Sequence, residues 1–151
     1  MNAEQRCEQL GIKLPEVSKP VASYVATVLS GNLLFVSGQL CTVAGEFKYK
    51  GKVGKEVSLD DACQAARAST INALATIKQE IGSLNKVKRV VKVVGFVASA
   101  PDFFDQPKVI NGASDLLLEV FGEKGKHARS AVGVAALPFN VPVEVELIVE
   151  V

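Results

Sequence analysis

The chain has only one histidine, His127, and three cysteines, Cys7, Cys41 and Cys63, in 151 residues, and no cysteines are spaced as a C-x-x-C pair. A structural zinc site of the Cys/His type needs four such ligands at short spacings, so the composition argues against one. An odd number of scattered cysteines gives no disulfide framework either, and reduced thiols in a cytoplasmic protein are the simplest account. An excess of charge of one sign is also missing: 17 basic and 16 acidic side chains leave a formal net charge of +1. Such balance provides no global field to gather nucleic acid or anionic lipid, and little self-repulsion to oppose association between copies. No apolar run approaches the length of a membrane span. The amino end, "MNAEQRCEQLGIKLPEV", lacks the basic-then-apolar pattern of an export signal. There is no internal repeat, low-complexity tract or linker. With 48% hydrophobic and 22% charged residues, the expectation is one globular domain over 1–151, with residues 1–19 as a helix and extended lead-in.

Local signals then set the elements. Residues 3–10 are helix formers ending at Gly11, with Pro15 and Pro20 punctuating an extended segment. "SYVATVLS" (23–30) and "LLFVSGQ" (33–39) read as strands joined by a Gly31-Asn32 hairpin turn. "TVAGEFKYKGKVG" reads as a loop or short strand. Ser58 and Asp61 mark a capped helix start, Leu59, Ala62, Ala66, Ala73, Ile77 and Ile81 recur at helical spacing, and Gly82 stops the helix. Its mostly alanine stripe suits close packing on a sheet. Residues 87–99 read as a long strand, with Val91, Val93 and Val97 on one face and Val90, Val94, Phe96 and Ala98 on the other. A second helix is expected from about Lys108 to Phe121. Strands over Arg129–Leu137 and 142–151 would then form a hairpin around Pro138-Phe139-Asn140. The order is α+β, a mixed sheet with two helices on one face. The second apolar face of strand 87–99 needs a cover, which argues for a homo-oligomer whose sheets meet.

Charged residues interrupt this pattern at two places. Arg129 opens an apolar strand, and the last strand alternates Val143, Val145, Leu147 and Val149 with Glu144, Glu146 and Glu150. An arginine and a glutamate on paired strands can share one face. The residues alone leave open whether this is a structural ion pair or a ligand site. His127 lies in the charged, Gly-rich "GEKGKHARS" and reads as a solvated loop residue, with no serine or cysteine placed to make it a triad base. Gly38 inside a strand suggests a bulge or a close backbone approach. Asn111 can be a helix cap. "NKVKRVVK" is basic but has no interleaved aromatics, so it reads as a solvated strand edge, not a nucleic-acid surface.

Taken together, Tyr24, "GNLLFVSGQ" (31–39), "DFFDQPKVINGASDLL" (102–117), "ARSAVGVAALP" (128–138) and "VEVE" (143–146) resemble the YjgF/RidA family of reactive-intermediate deaminases, also known as L-PSP endoribonucleases. The resemblance covers roughly residues 20–151. It implies a chorismate-mutase-like fold and a homotrimer whose three sheets meet in a central barrel, with clefts between subunits. It assigns ligand binding to Arg129, Tyr24, Ser37, Gly38 and Asn111, and catalysis to Arg129 and Glu144. Two features depart from the family pattern. Ala131 stands at a substrate-site position where a cysteine is frequent, and Ser23-Tyr24-Val25-Ala26 replaces Pro-Tyr-x-Gln. With the amino-terminal segment that short members lack, these mark a divergent branch. The implied reaction is hydrolysis of a 2-imino acid to a 2-oxo acid and ammonia, with no metal or cofactor. The alternatives are a trimer that only binds small carboxylates, and an RNA-cleaving translation inhibitor, against which the neutral charge counts.

Overall fold

The computed structural model describes residues 1–151, and every expected helix and strand is present, though the strands expected over 23–30 and Arg129–Leu137 are shorter. Helix α1 spans Ala3–Gln9 and is capped by Asn2, whose side chain accepts from the Gln5 amide while the Gln5 side chain accepts from that of Asn2. It buries Cys7, and Glu4 ion-pairs with Lys78 at 3.4 Å and accepts from the Leu84 amide at 3.3 Å. The amino-terminal helix is thereby docked on the far end of the next helix. Strands β1 (Thr27–Ser30) and β2 (Leu33–Leu40) form the expected hairpin, with Gly31 at φ +61° in the turn. β1 is shorter than predicted, because residues 21–24 are a series of bends.

Helix α2 spans Leu59–Ile81. The Ser58 hydroxyl accepts from the Asp61 amide at 3.1 Å, and Gly82 closes the helix at φ +87°. Its buried alanines, among them Ala62, Ala65, Ala66 and Ala73, allow the close packing read from the sequence. Strand β3 (Arg89–Ala98), helix α3 (Gln106–Phe121) and strand β4 (Ala128–Val134) make a parallel crossover, and β5 spans Val143–Glu150. α2 and α3 touch where Gly112 lies against the Cys63 carbonyl with no room for a β-carbon. The sheet order is β1-β2-β5-β3-β4, antiparallel except for β3 with β4.

Two expectations are corrected. β4 and β5 are not a hairpin pair. The turn at Pro138–Asn140 returns the chain to the middle of the sheet, where β5 pairs with both β2 and β3 and leaves β4 at an edge. In that position β5 buries Val143, Val145, Leu147 and Val149, which an edge strand could not do as fully. On β3, Val90 faces the helices together with Val93 and Val97, not with Val94 and Phe96. The pairing with β5 skips Val91, running Val90–Val149 and then Lys92–Ile148, and this bulge reverses the alternation.

Both helices cover the same face of the sheet. The opposite face carries Val28, Phe35 and Val132, which are 53%, 42% and 42% exposed, with half-buried Val94, Phe96 and Ile148 among them. Val28 pairs with Phe35, and Phe35 with Ile148, so the apolar side chains run on from strand to strand.

Candidate functional site

Arg129 sits at the second position of β4, in register with buried Val93, and its side chain reaches α3. Its Nη1 donates to Asn111 Oδ1 at 2.8 Å and to Ser114 Oγ at 3.2 Å. No carboxylate lies within ion-pair distance of it. Nη2 and Nε make no hydrogen bond, so one edge of the planar guanidinium is free to grip a carboxylate with two parallel bonds. Ala131, two residues on, packs its methyl against the core and offers no polar side-chain atom.

His127 is not a solvated loop residue. It is half-buried, its Nε2 is 2.9 Å from Ser114 Oγ, and its Nδ1 is 2.6 Å from the Gly125 carbonyl. Ser114 thus stands within hydrogen-bond reach of His127, where no serine was expected to be placed as partner to a triad base. The signal was present in the sequence. Asn111 and Ser114 are three apart on one helix face, and His127 and Arg129 are two apart on one side of an extended chain.

Glu144 belongs to a second cluster. It projects from the open face of β5, between Leu40 of β2 and Phe96 of β3. Its carboxylate lies directly over the α-carbon of Gly38, in space a β-carbon would fill. The β2–β5 register shifts between Val36 and Gln39, so the bulge and the close approach expected at Gly38 are both present. Burial, and secondarily the charge of Glu146, push the Glu144 carboxyl above its ordinary pKa. Ser37 donates its hydroxyl to the Val25 carbonyl at 2.7 Å and its amide to the Ala26 carbonyl at 2.9 Å. These bonds tie the segment carrying Tyr24 to β2. Tyr24 is 60% exposed beside a depression of about 320 Å³ that Ser37 and Gly38 line together with Asn72 and Thr76 of α2, and that Glu144 does not line.

The two clusters do not meet within one chain. Arg129 points to the helix side of the sheet and Glu144 to the open side, and β3 separates their strands. A structural Arg129–Glu144 ion pair within the chain is thus excluded. The larger groove on the helix side, about 700 Å³ between residues 13–16, the 42–49 loop and α2, includes none of these residues. There, Asn72 already donates to the Leu40 and Thr42 carbonyls. No three His, Cys, Asp or Glu side chains are grouped to hold a metal ion, and no helix is long and apolar enough to cross a membrane.

Residues 4–151 match the family described as "YjgF/chorismate mutase-like, putative endoribonuclease". The chain belongs to the YjgF/RidA family. Within the family it is similar to TCP17 of Trypanosoma cruzi, 46% identical over 144 residues that make up 95% of this chain and 90% of that protein. A 2-iminobutanoate/2-iminopropanoate deaminase of Dermatophagoides farinae is 32% identical over 139 residues, 91% of this chain and 93% of that one. The crystal structure of Atu1372 from Agrobacterium tumefaciens superposes with a TM-score of 0.91 at 47% identity, covering 99% of this chain and 91% of that one. The five-stranded mixed sheet with its helices on one face is the chorismate-mutase-like fold of the YjgF/RidA family, and TCP17 and Atu1372 mark the divergent branch to which this member belongs.

Proposed function

We propose that this RidA-family chain hydrolyses 2-imino acids to 2-oxo acids and ammonia, in clefts formed between copies of a homotrimer. The observation that carries the reading is Arg129: a guanidinium with no acidic partner and one edge uncommitted. In the cleft, Arg129 and Asn111 of one copy face Tyr24, Ser37, Gly38 and Glu144 of the next. Arg129 clamps the substrate carboxylate. Glu144 takes a proton from water as its oxygen attacks the imine carbon. Glu144 returns that proton to the amino group of the resulting amino alcohol and takes the hydroxyl proton as ammonia leaves, so that C=O replaces C=N. A protonated imine is already electrophilic, so orientation and charge placement carry the rate. The deaminase from Dermatophagoides farinae supports this choice of substrate.

Ammonia release from 2-iminobutanoate generated in the assay is the test. Turnover supports the reading. Binding of 2-oxobutanoate without turnover replaces it with a carboxylate-binding trimer.

The open apolar sheet face and the two separated half-sites both support the trimer. Light scattering at micromolar concentration is expected to give the mass of three 16.0 kDa chains. A stable monomer would sink the inter-subunit cleft.

The thiols stay outside the chemistry. Cys7, Cys41 and Cys63 are free, and burial raises the pKa of each, which keeps them protonated and poorly nucleophilic. Replacing all three with serine or alanine is expected to leave imine hydrolysis within a few-fold of the parent. A loss of several orders of magnitude in a folded triple variant would identify one of them as a nucleophile.

A further inference from the structure

Behind Arg129, Ser114 and His127 form a chain of hydrogen bonds whose direction, for a neutral imidazole, is fixed by its far end. The Gly125 carbonyl can only accept, so His127 Nδ1 donates to it at 2.6 Å. A neutral imidazole with its proton on Nδ1 has only an acceptor at Nε2. Ser114 therefore donates its hydroxyl proton to Nε2 at 2.9 Å. With that proton committed, Ser114 Oγ presents lone pairs to Arg129 Nη1 at 3.2 Å. The anchor is rigid, because Gly125 is buried against the Leu117 carbonyl of α3 with no room for a β-carbon.

We propose that Ser114 and His127 are positioning residues that hold the Arg129 guanidinium with its Nε and Nη2 edge turned toward the ligand carboxylate. The inference rests on the reading of Arg129 as a carboxylate clamp. Asn111, the other partner of Nη1, bonds at 2.8 Å but is exposed, so that bond competes with water, whereas Ser114 is half-buried. Without Ser114 the guanidinium samples more rotamers, and each binding event must restrict them. The carboxylate persists unchanged from substrate through transition state, so the loss falls equally on both. KM rises and kcat stays near the parent value. A serine acting as nucleophile with His127 as its base would give the opposite split, a loss in kcat.

The test combines steady-state imine hydrolysis with calorimetric binding of 2-oxobutanoate, in Ser114→Ala, Ser114→Thr, His127→Gln, His127→Phe and Arg129→Ala. Ser114→Ala is expected to raise both KM and Kd about ten-fold, the effect of one lost hydrogen bond to a charged group. Ser114→Thr, which keeps the hydroxyl, recovers most of that loss. His127→Gln, which keeps an acceptor near Nε2, loses less than His127→Phe. Nitrogen NMR of the parent imidazole is expected to report the proton on Nδ1. Parent-like KM and Kd in Ser114→Ala, a kcat loss at unchanged KM, or a proton on Nε2 each overturns the positioning role. Arg129→Ala separates the two levels: if it binds 2-oxobutanoate as the parent does, the clamp itself is wrong and the positioning role falls with it. If it loses binding while Ser114→Ala does not, only the positioning role fails.

Discussion

Arg129→Ala is expected to lower kcat/KM for 2-iminobutanoate about a thousand-fold, the combined effect of two charge-assisted hydrogen bonds to the substrate carboxylate. Binding of 2-oxobutanoate should disappear with it. The protein should remain folded, because the side-chain partners released are Asn111 and Ser114, neutral groups at the surface or near it. A melting temperature about 2–4 °C below the parent is the expected scale for a domain of this size. An ion pair with a carboxylate of another copy, the only kind left open to Arg129, predicts otherwise, since removing one member of a buried pair costs about 3–5 kcal/mol. Arg129→Lys should recover binding only in part, because an ammonium cannot make the two parallel contacts. Thermal melts run beside the ammonia assay decide the matter. If both variants melt far below the parent and their folded fractions keep full activity, Arg129 is a structural tie.

Glu144→Gln is expected to lower kcat at least about a hundred-fold, the range for losing a general base. Glutamine has the same shape and keeps the seat over Gly38, so a loss of activity reports the lost proton acceptor. The pH dependence gives a second check. A base must be unprotonated to act, and burial with the Glu146 charge raises the carboxyl's pKa above its ordinary value of 4.5. The acid limb of kcat/KM, which reports the free enzyme, should therefore lie above the ordinary carboxylate range and fall as pH is lowered through the raised pKa. Glu146→Gln removes the secondary cause and should move that limb downward. A parent profile flat to pH 4, or an acid limb that survives in Glu144→Gln, would transfer the role to another group.

What the sequence revealed, and what it hid, follows from the range of the forces involved. Ser58, Gly82 and Gly31-Asn32 act within a few residues, and each element boundary they imply is found in place. The hairpin expected at Pro138–Asn140 was misleading because its turn chemistry is local, whereas the placement of β5 between β2 and β3 depends on pairing with residues 46 (Val97–Val143) to 117 (Leu33–Glu150) positions away. The faces of β3 were misassigned by a strict period of two, which one unpaired residue, Val91, is enough to reverse. Gly38 was the most informative single residue, since a glycine inside an apolar strand asks what takes the room of its missing side chain. The contact between Ser114 and His127 was legible in the spacings that pair Asn111 with Ser114 and His127 with Arg129. A charged, Gly-rich surrounding obscured it, because such a loop reads as solvated until α3 is placed beside it.

The seat of Glu144 over Gly38 bears on how this sequence can drift. The two positions share one volume: any side chain at 38 displaces the carboxylate, and any shortened side chain at 144 vacates the space that makes a glycine necessary. A change at 38 moves the carboxylate off its seat at little steric cost, because the flexible end of Glu144 can shift, whereas a change at 144 removes the acid itself. Homologues that keep a glutamate at 144 should therefore keep glycine at 38, whereas those that have lost the acid are released to accept alanine or serine there. Surveyed across the branch, joint loss at this pair would mark lineages that have kept the scaffold and abandoned the reaction.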